Sequence, residues 1–221
     1  MIELSASLLS ADFSNLEKDI MQAENAGVDL LHIDVMDGRF VPNITFGSVV
    51  TDAIVKKSKL PLDVHLMIVE PEKHIEQFVT ENTKYIVVHQ EACVHLDRTL
   101  NYIRSLGVGC GVSLNPSTPI SSLEHVLGIV DQILIMSVNP GYAGQKFIPY
   151  ALDKVRELDK IRKENDYSYK IAIDGGVSLK NISEVANAGI DIFIAGSAVF
   201  GSDDVGKAIK DLKEVANGNA E

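Results

Sequence analysis

Cysteines, basic residues and long apolar runs are all scarce in this sequence of 221 residues. The two cysteines, Cys93 and Cys110, lack the paired spacing of a zinc knuckle or a redox motif, so we expect no disulfide framework and a reducing compartment. No apolar run approaches the roughly 20 residues of a membrane span, and no basic segment precedes an apolar stretch at the start. The sequence therefore predicts a cytoplasmic protein that does not enter a membrane.

Positive charge is the second shortage. Lysine and arginine total 20 against 31 aspartate and glutamate residues, which gives a net charge of −11, and no tail or run concentrates the basic residues. Nucleic acid and anionic membrane surfaces are therefore not expected as partners. Apolar residues make up 46% of the chain and charged residues 23%, a composition typical of a globular protein with a sizeable core.

Short apolar runs rich in β-branched residues recur along the whole chain and predict strands. Between them, apolar residues fall three or four apart, as in Leu96, Leu100, Ile103 and Leu106, and predict amphipathic helices. There are eight predicted strands, at residues 4–9, 30–35, 62–68, 85–89, 109–114, 132–138, 170–174 and 191–195.

Turn and cap residues agree with this alternation. Ser14 with Glu17 is typical of a capping box, Pro71 suits a first helical turn, and Ser178 is expected to cap a helix that begins at residue 179. Three glycines are expected to end helices, namely Gly27, Gly107 and Gly189. The pentamers at residues 25–29 and 187–191 are similar, which indicates a repeated βα unit.

Eight βα units in this length predict a single (β/α)8 TIM barrel that spans residues 1–221. A doubly wound open sheet would more often have five or six strands and one glycine-rich nucleotide turn. No linker or low-complexity segment divides the chain, and only residues 217–221 are predicted to be frayed.

Polar residues late in the second and third strands are the first candidates for a site. Side chains alternate along a strand, so His32, Asp34 and Met36 share one face, and His65 and Met67 share the matching face of the next strand. Active sites of such barrels lie where the strands end, so we expect these side chains to point into the mouth of the barrel.

The seventh strand adds Asp174 at its last position, expected to face Asp34 across the mouth. Two histidines and two aspartates are plausible ligands for one divalent metal ion of the Zn, Fe, Mn or Co type. Strand two alone would be equally well explained by a buried histidine hydrogen-bonded to a carboxylate. Matched polar residues on three strands favour a functional site, because each buried polar group needs a partner.

Glycine-rich segments follow the last three strands and predict a phosphate site formed by backbone N–H groups. Singly, each pair would be explained by an ordinary turn, but their occurrence on consecutive loops favours phosphate. Neither a P-loop nor a dinucleotide-binding fingerprint is present. The residues are Gly141, Tyr142, Ala143 and Gly144, then Gly175 and Gly176, then Gly196 and Ser197.

The other candidates have weaker support. Ser7, late in strand one, is placed to donate a hydrogen bond to a substrate hydroxyl, and His89 either supports the site or makes a structural hydrogen bond. Three methionines are expected to form an apolar lining, namely Met36, Met67 and Met136. Three histidines in helical patterns are expected at the surface without a role, namely His74, His95 and His125.

These residues lie in motifs that resemble those of the ribulose-phosphate 3-epimerases. The resemblance spans nearly the full chain, and the twelve-residue segment around Asp34 is highly specific. Ala143 departs from the glycine that the family often has there, but alanine keeps the N–H group. The matching segments are residues 7–13, 32–43, 65–67, 138–141, 144–147 and 174–177.

The resemblance implies interconversion of D-ribulose 5-phosphate and D-xylulose 5-phosphate in the pentose phosphate pathway, through an enediolate and with one divalent metal ion. His32, Asp34, His65 and Asp174 would hold the metal, and the two aspartates would be the acid/base pair. Ser7 and His65 would contact the sugar, and the three glycine loops would contact the phosphate. We expect a homo-oligomer, either a dimer or a hexamer.

Three alternatives remain open at the level of sequence. An allulose-6-phosphate 3-epimerase would use the same carboxylates and metal on a sugar one carbon longer. A barrel lyase or decarboxylase should place a lysine among the central acids, and none stands beside Asp34 or His65. A non-catalytic sugar-phosphate binding barrel would need no opposed pair of acids.

Overall fold

The computed structural model describes residues 1–218 and forms a closed barrel of eight parallel strands. Each strand pairs with its neighbours in chain order, and the last strand pairs with the first. The predicted (β/α)8 fold class is therefore confirmed. The strands are β1 Glu3–Ser7, β2 Leu30–Met36, β3 Leu62–Met67, β4 Thr83–His89, β5 Gly109–Leu114, β6 Gln132–Met136, β7 Lys170–Asp174 and β8 Ile192–Ala195.

Two apolar layers hold the barrel together, because alternate side chains of each strand point outward and inward. The outward side chains, such as Ile33 and Val35, pack in a large core against the helices. The inward side chains form a separate buried cluster that fills the barrel, so the interior is a packed core on which the mouth rests. This inner cluster consists of Leu30, Tyr85, Val87, Leu134, Met136, Val138, Ala172, Ile192 and Ile194.

Helices cover most of the outside, but not every connection contains one. The crossovers that follow β3 and β5 contain short 3₁₀ segments, including Pro71–Lys73 and Ile120–Leu123, instead of an α-helix. The expectation of a helix between every two strands was therefore wrong for these two crossovers. The helices are α1 Leu16–Asn25, α2 Ser48–Val55, α3 Leu96–Ser105, α4 Ala151–Asn165, α5 Ile182–Asn187, α6 Ser197–Phe200 and α7 Val205–Gly218.

Several strand boundaries differ from the apolar runs that predicted them. The predicted first strand continued to Leu9, but the chain turns into a 3₁₀ segment at Leu8–Ser10. The predicted sixth strand continued to Val138, but β6 ends at Met136, which pairs with Asp174, the last residue of β7. An apolar run therefore indicates burial and does not show where a ladder stops.

Both predicted helix caps were wrong. The N–H and hydroxyl groups of Ser14 donate to the carboxylate of Asp12, and α1 begins after Asn15. Ser178 lies in a turn in which its N–H donates to the side chain of Asn181, the residue that precedes α5. In each case a local turn uses the polar side chain before the helix begins.

The predicted helix ends were better. The three predicted glycines follow α-helices with positive φ angles of 80–104°, as left-handed termination requires, and Pro71 opens a 3₁₀ turn. Two residues of the segment predicted to be frayed belong to α7, and the side-chain oxygen of Asn217 accepts the N–H of Ile2 at 2.8 Å. Residues 219–221 of that segment lie outside the described residues. Within residues 1–218, we find no helix with the length and apolarity to cross a bilayer.

Candidate active site

A cleft of about 530 Å³, including space open to solvent, lies at the carboxyl-terminal mouth of the barrel. The parallel register creates it, because Asp34 pairs with His65 on the neighbouring strand, and Met136 pairs with Asp174. Most residues that the sequence singled out line this cleft, while His32 and His65 lie beneath it, fully buried. The predicted lining residues found there are Ser7, Asp34, Met36, Met67, Met136, Gly141, Tyr142, Ala143, Gly144, Asp174, Gly175, Gly176, Gly196 and Ser197.

Four side chains converge at the floor of the cleft with the chemistry of a metal site. His32, Asp34, His65 and Asp174 each offer one ligand atom, and these atoms all lie within 4.8 Å of one another. Nε2 of His32 and Nδ1 of His65 are buried without a hydrogen-bond partner, 3.4 and 3.6 Å from Oδ1 of Asp34. Two nitrogens and two carboxylates fit a divalent ion of the Zn, Fe, Mn or Co type.

The other ring nitrogen of His32 and of His65 also has a close polar contact. Nδ1 of His32 lies 2.8 Å from Oδ2 of the fully buried Asp63, and Nε2 of His65 lies 2.9 Å from Nε2 of His89. His89 in turn contacts Glu91, with 3.2 Å between Nδ1 and Oε2. The sequence interpretation missed Asp63 and Glu91 and left His89 undecided, although alternation places Asp63 on the same face as His65.

The two aspartates of the cluster have opposite electrostatic environments. Burial raises the pKa of Asp34, but His32 and His65 outweigh burial and hold that pKa well below its usual range. The hydroxyl of Ser7 also donates to Oδ2 of Asp34 at 2.6 Å. Burial and the negative charge of Asp34 raise the pKa of Asp174 to about 7. Asp34 is thus kept ionised, while the carboxyl of Asp174 gains and loses a proton near neutral pH.

The histidines differ as well. Burial lowers the pKa of His32, but the charges of Asp34 and Asp63 outweigh burial and raise that pKa well above its ordinary value. Burial lowers the pKa of His65 to about 4, so its ring is neutral. A metal ligand requires a lone pair, which the neutral ring of His65 already has and which His32 would gain by releasing a proton when a metal ion binds.

The glycine loops form the other wall of the cleft. Gly175 and Gly176 have φ angles of +116° and +66°, and a Cβ atom on Gly176 would lie 2.6 Å from the backbone nitrogen of Phe147. The hydroxyl of Ser137 lies 2.7 Å from the carbonyl oxygen of Gly175, and the amide of Asn181 donates to the carbonyl of Gly176. Among the lining residues that the structure describes, none is lysine or arginine.

The remaining candidates lie outside the cluster. Tyr142 stands at the rim of the cleft with 57% of its surface exposed. The three histidines that were assigned no role are exposed, as expected; they are His74, His95 and His125.

The sequence of this chain matches a known protein family. A family model described as the ribulose-phosphate 3 epimerase family matches residues 3–200. The ribulose-phosphate 3-epimerase of Synechocystis sp. is 50% identical over 214 residues, which cover 96% of this chain and 93% of the relative. The chloroplastic ribulose-5-phosphate-3-epimerase of Arabidopsis thaliana is 49% identical over 214 residues, with coverages of 96% and 76%.

Solved structures of other proteins share the barrel. The 3-hexulose-6-phosphate synthase from Salmonella typhimurium superposes with a TM-score of 0.76 over 99% of this chain and 100% of that chain. Its sequence identity is 15%, so this likeness concerns the fold alone.

Proposed function

Because this chain belongs to the ribulose-phosphate 3-epimerase family and is an isomerase, we propose that it interconverts D-ribulose 5-phosphate and D-xylulose 5-phosphate. The observation that carries the proposal is that Asp34 and Asp174 lie in one cluster of metal-ligand type, with ligand atoms within 4.8 Å of one another. The same two carboxylates serve as the acid and the base of the reaction.

The reaction inverts carbon 3 of a 2-keto sugar. One carboxylate removes the C3 proton, which the adjacent carbonyl makes acidic, and the other returns a proton to the opposite face. The hydrogen bond from Ser7 and the contacts with His32 and His65 keep Asp34 ionised and oriented. An ordinary aspartate is a weak base for such a carbon, so the enediolate must be stabilised in the site.

We assign the metal to the ring nitrogens of His32 and His65 that lack hydrogen bonds and to the carboxylates of Asp34 and Asp174. A divalent ion bound there would act as a Lewis acid and stabilise the negative charge of the enediolate. Met36, Met67 and Met136 are almost fully buried around the cleft and limit the access of water to the intermediate. Methionine side chains carry no hydrogen-bond donor that would compete for the oxygens of the sugar.

The phosphate lies against the glycine loops in this account. In a trans peptide the C=O and the N–H point in opposite directions. Ser137 and Asn181 donate hydrogen bonds to the carbonyls of Gly175 and Gly176, so the N–H groups of the next residues, Gly176 and Val177, point away from those two side chains. Oriented N–H groups bind a dianion without help from lysine or arginine. The loop that starts at Gly141 and the pair Gly196 and Ser197 line the same wall.

Replacing Gly176 by alanine tests the phosphate assignment. The Cβ atom would clash with the backbone of Phe147, so the two loops must separate, and we expect KM for the sugar phosphate to rise about tenfold or more, with a smaller change in kcat. Gly107→Ala is the matched control, because Gly107 also has a positive φ but has open space around it and lies away from the cleft. Equal KM values for both variants would contradict the assignment.

The substrate is tested by measuring rates on two sugar phosphates with metal-loaded protein. We expect faster turnover of ribulose 5-phosphate than of allulose 6-phosphate. The reverse order would make the protein an allulose-6-phosphate epimerase, and binding without turnover of either would indicate a binding barrel. A homo-oligomeric state and a cytoplasmic location stay predictions.

A further inference from the structure

We propose that Glu91 and His89 are positioning residues that fix the tautomer of His65, so that its Nδ1 lone pair faces Asp34. This inference rests on the proposed metal site and gives a role to the segment His89-Gln90-Glu91, which begins at the last residue of β4. Neither residue touches the substrate cleft.

His65 and His89 contact each other through ring nitrogens. His65 and His89 are fully buried, and their Nε2 atoms lie 2.9 Å apart. A hydrogen bond of this length between two neutral imidazoles needs one ring to carry hydrogen on Nε2 and the other to carry none there. The tautomer of one ring therefore determines the tautomer of the other.

Glu91 selects between the two tautomeric arrangements. Its Oε2 lies 3.2 Å from Nδ1 of His89, while its Oε1 accepts the backbone N–H of Asn115 at 2.8 Å and the hydroxyl of Thr118. A carboxylate only accepts, so Nδ1 of His89 carries the hydrogen and its Nε2 is bare. The side chain of Glu91 is 22% exposed, and the ring of Phe40 packs against His89 with 4.6 Å between the ring centroids.

The tautomer of His89 affects the metal cluster through His65. Because Nε2 of His89 is bare, His65 donates from its own Nε2, and its Nδ1 holds a lone pair. That Nδ1 is buried without a hydrogen-bond partner, 3.6 Å from Oδ1 of Asp34. Two acceptors facing each other in a buried site fit a cation between them. Such outer hydrogen bonds orient metal-binding histidines and raise the affinity for the metal.

Glu91→Gln gives the sharpest test, because it should reverse the whole chain of hydrogen bonds. The backbone N–H of Asn115 can only donate, so the amide oxygen of glutamine faces it and the amide NH₂ faces Nδ1 of His89. His89 must then accept on Nδ1 and donate from Nε2, which moves the hydrogen of His65 to Nδ1. Thr118→Val is the matched control, since it removes one bond to the same carboxylate oxygen and leaves both histidine contacts.

Two measurements that use no sugar report the result. Side-chain ¹⁵N shifts of metal-free protein labelled at histidine, assigned with a His65→Gln variant, should show His65 protonated on Nε2 in the unmodified chain and in Thr118→Val. They should show it protonated on Nδ1 in Glu91→Gln. The affinity for Co²⁺, from competition with a chelator, should fall roughly 10- to 100-fold in Glu91→Gln and change less than about twofold in Thr118→Val.

Protonation of His65 on Nδ1 in the unmodified chain would overturn the proposal, and this result does not depend on whether any variant folds. An unchanged tautomer or an unchanged Co²⁺ affinity in folded Glu91→Gln would overturn it too. If the protein passes both tests but does not epimerise ribulose 5-phosphate, the proposed function is wrong, while the role of Glu91 and His89 in fixing the tautomer of His65 still stands. The two failures are therefore separable.

Discussion

Replacing Asp174 by asparagine abolishes epimerisation in our account, with a fall in kcat of at least about 10⁴-fold. A general acid or base contributes roughly 10²- to 10⁴-fold, and Asp174 also offers a ligand atom to the metal cluster. Asparagine keeps the size of the side chain but can neither accept nor return the C3 proton. The measurement is the formation of xylulose 5-phosphate by metal-loaded protein, and retained activity would contradict a mechanism with two carboxylates.

The same substitution should stabilise the metal-free fold at alkaline pH. Because burial and Asp34 raise the pKa of Asp174 to about 7, the folded chain holds a proton that the unfolded chain releases near pH 4. The metal-free parent therefore loses stability as the pH rises from about 4 to about 7, and Asp174→Asn avoids this loss. We expect similar melting temperatures at pH 4 and a higher one for the variant at pH 8. A lower melting temperature at pH 8 would show that asparagine disrupts the site.

Removing the metal is the second change with a large expected effect. Lewis-acid stabilisation is worth several kcal/mol, so dialysis against a chelator should reduce turnover by about 10³-fold or more. The barrel should stay folded, because its two apolar clusters do not involve the ligand atoms.

Adding back Mn²⁺, Co²⁺, Zn²⁺ or Fe²⁺ should restore activity, and far-ultraviolet circular dichroism checks the fold throughout. Asp174→Asn is the control, because no metal should restore its turnover. Full activity in a preparation shown to be free of metal would contradict the assignment of the His32, Asp34, His65 and Asp174 cluster.

Much of the fold follows from local pattern. Apolar runs identify all eight strands, because every strand of a closed barrel is covered on one face by helices and on the other by the interior cluster. Their ends are less predictable, since β6 ends at Met136 opposite Asp174, the last residue of β7, and this boundary depends on a partner strand distant in the chain. The capping errors at Ser14 and Ser178 have a local cause, because nearby turns compete for the same polar groups.

The cleft is predictable for a related reason. A period of two places His32 and Asp34 on one face of β2, and parallel register then brings His65 beside Asp34. Polar residues at the carboxyl ends of strands were the basis of the site prediction. Asp63 was missed because it lies near the start of β3. Glu91 lies beyond its strand, and only the three-dimensional path of the chain brings Asn115 and Thr118 to it.

The most direct test of the two-carboxylate account is the isotopic content of the product. Metal-loaded protein is mixed in deuterated water with ribulose 5-phosphate in a single turnover, and carbon 3 of the xylulose 5-phosphate is examined by NMR. Because one aspartate keeps the hydrogen that it removes and the other delivers one from solvent, we predict deuterium at C3 in essentially every product molecule. Xylulose 5-phosphate that retains its original C3 hydrogen would contradict the account.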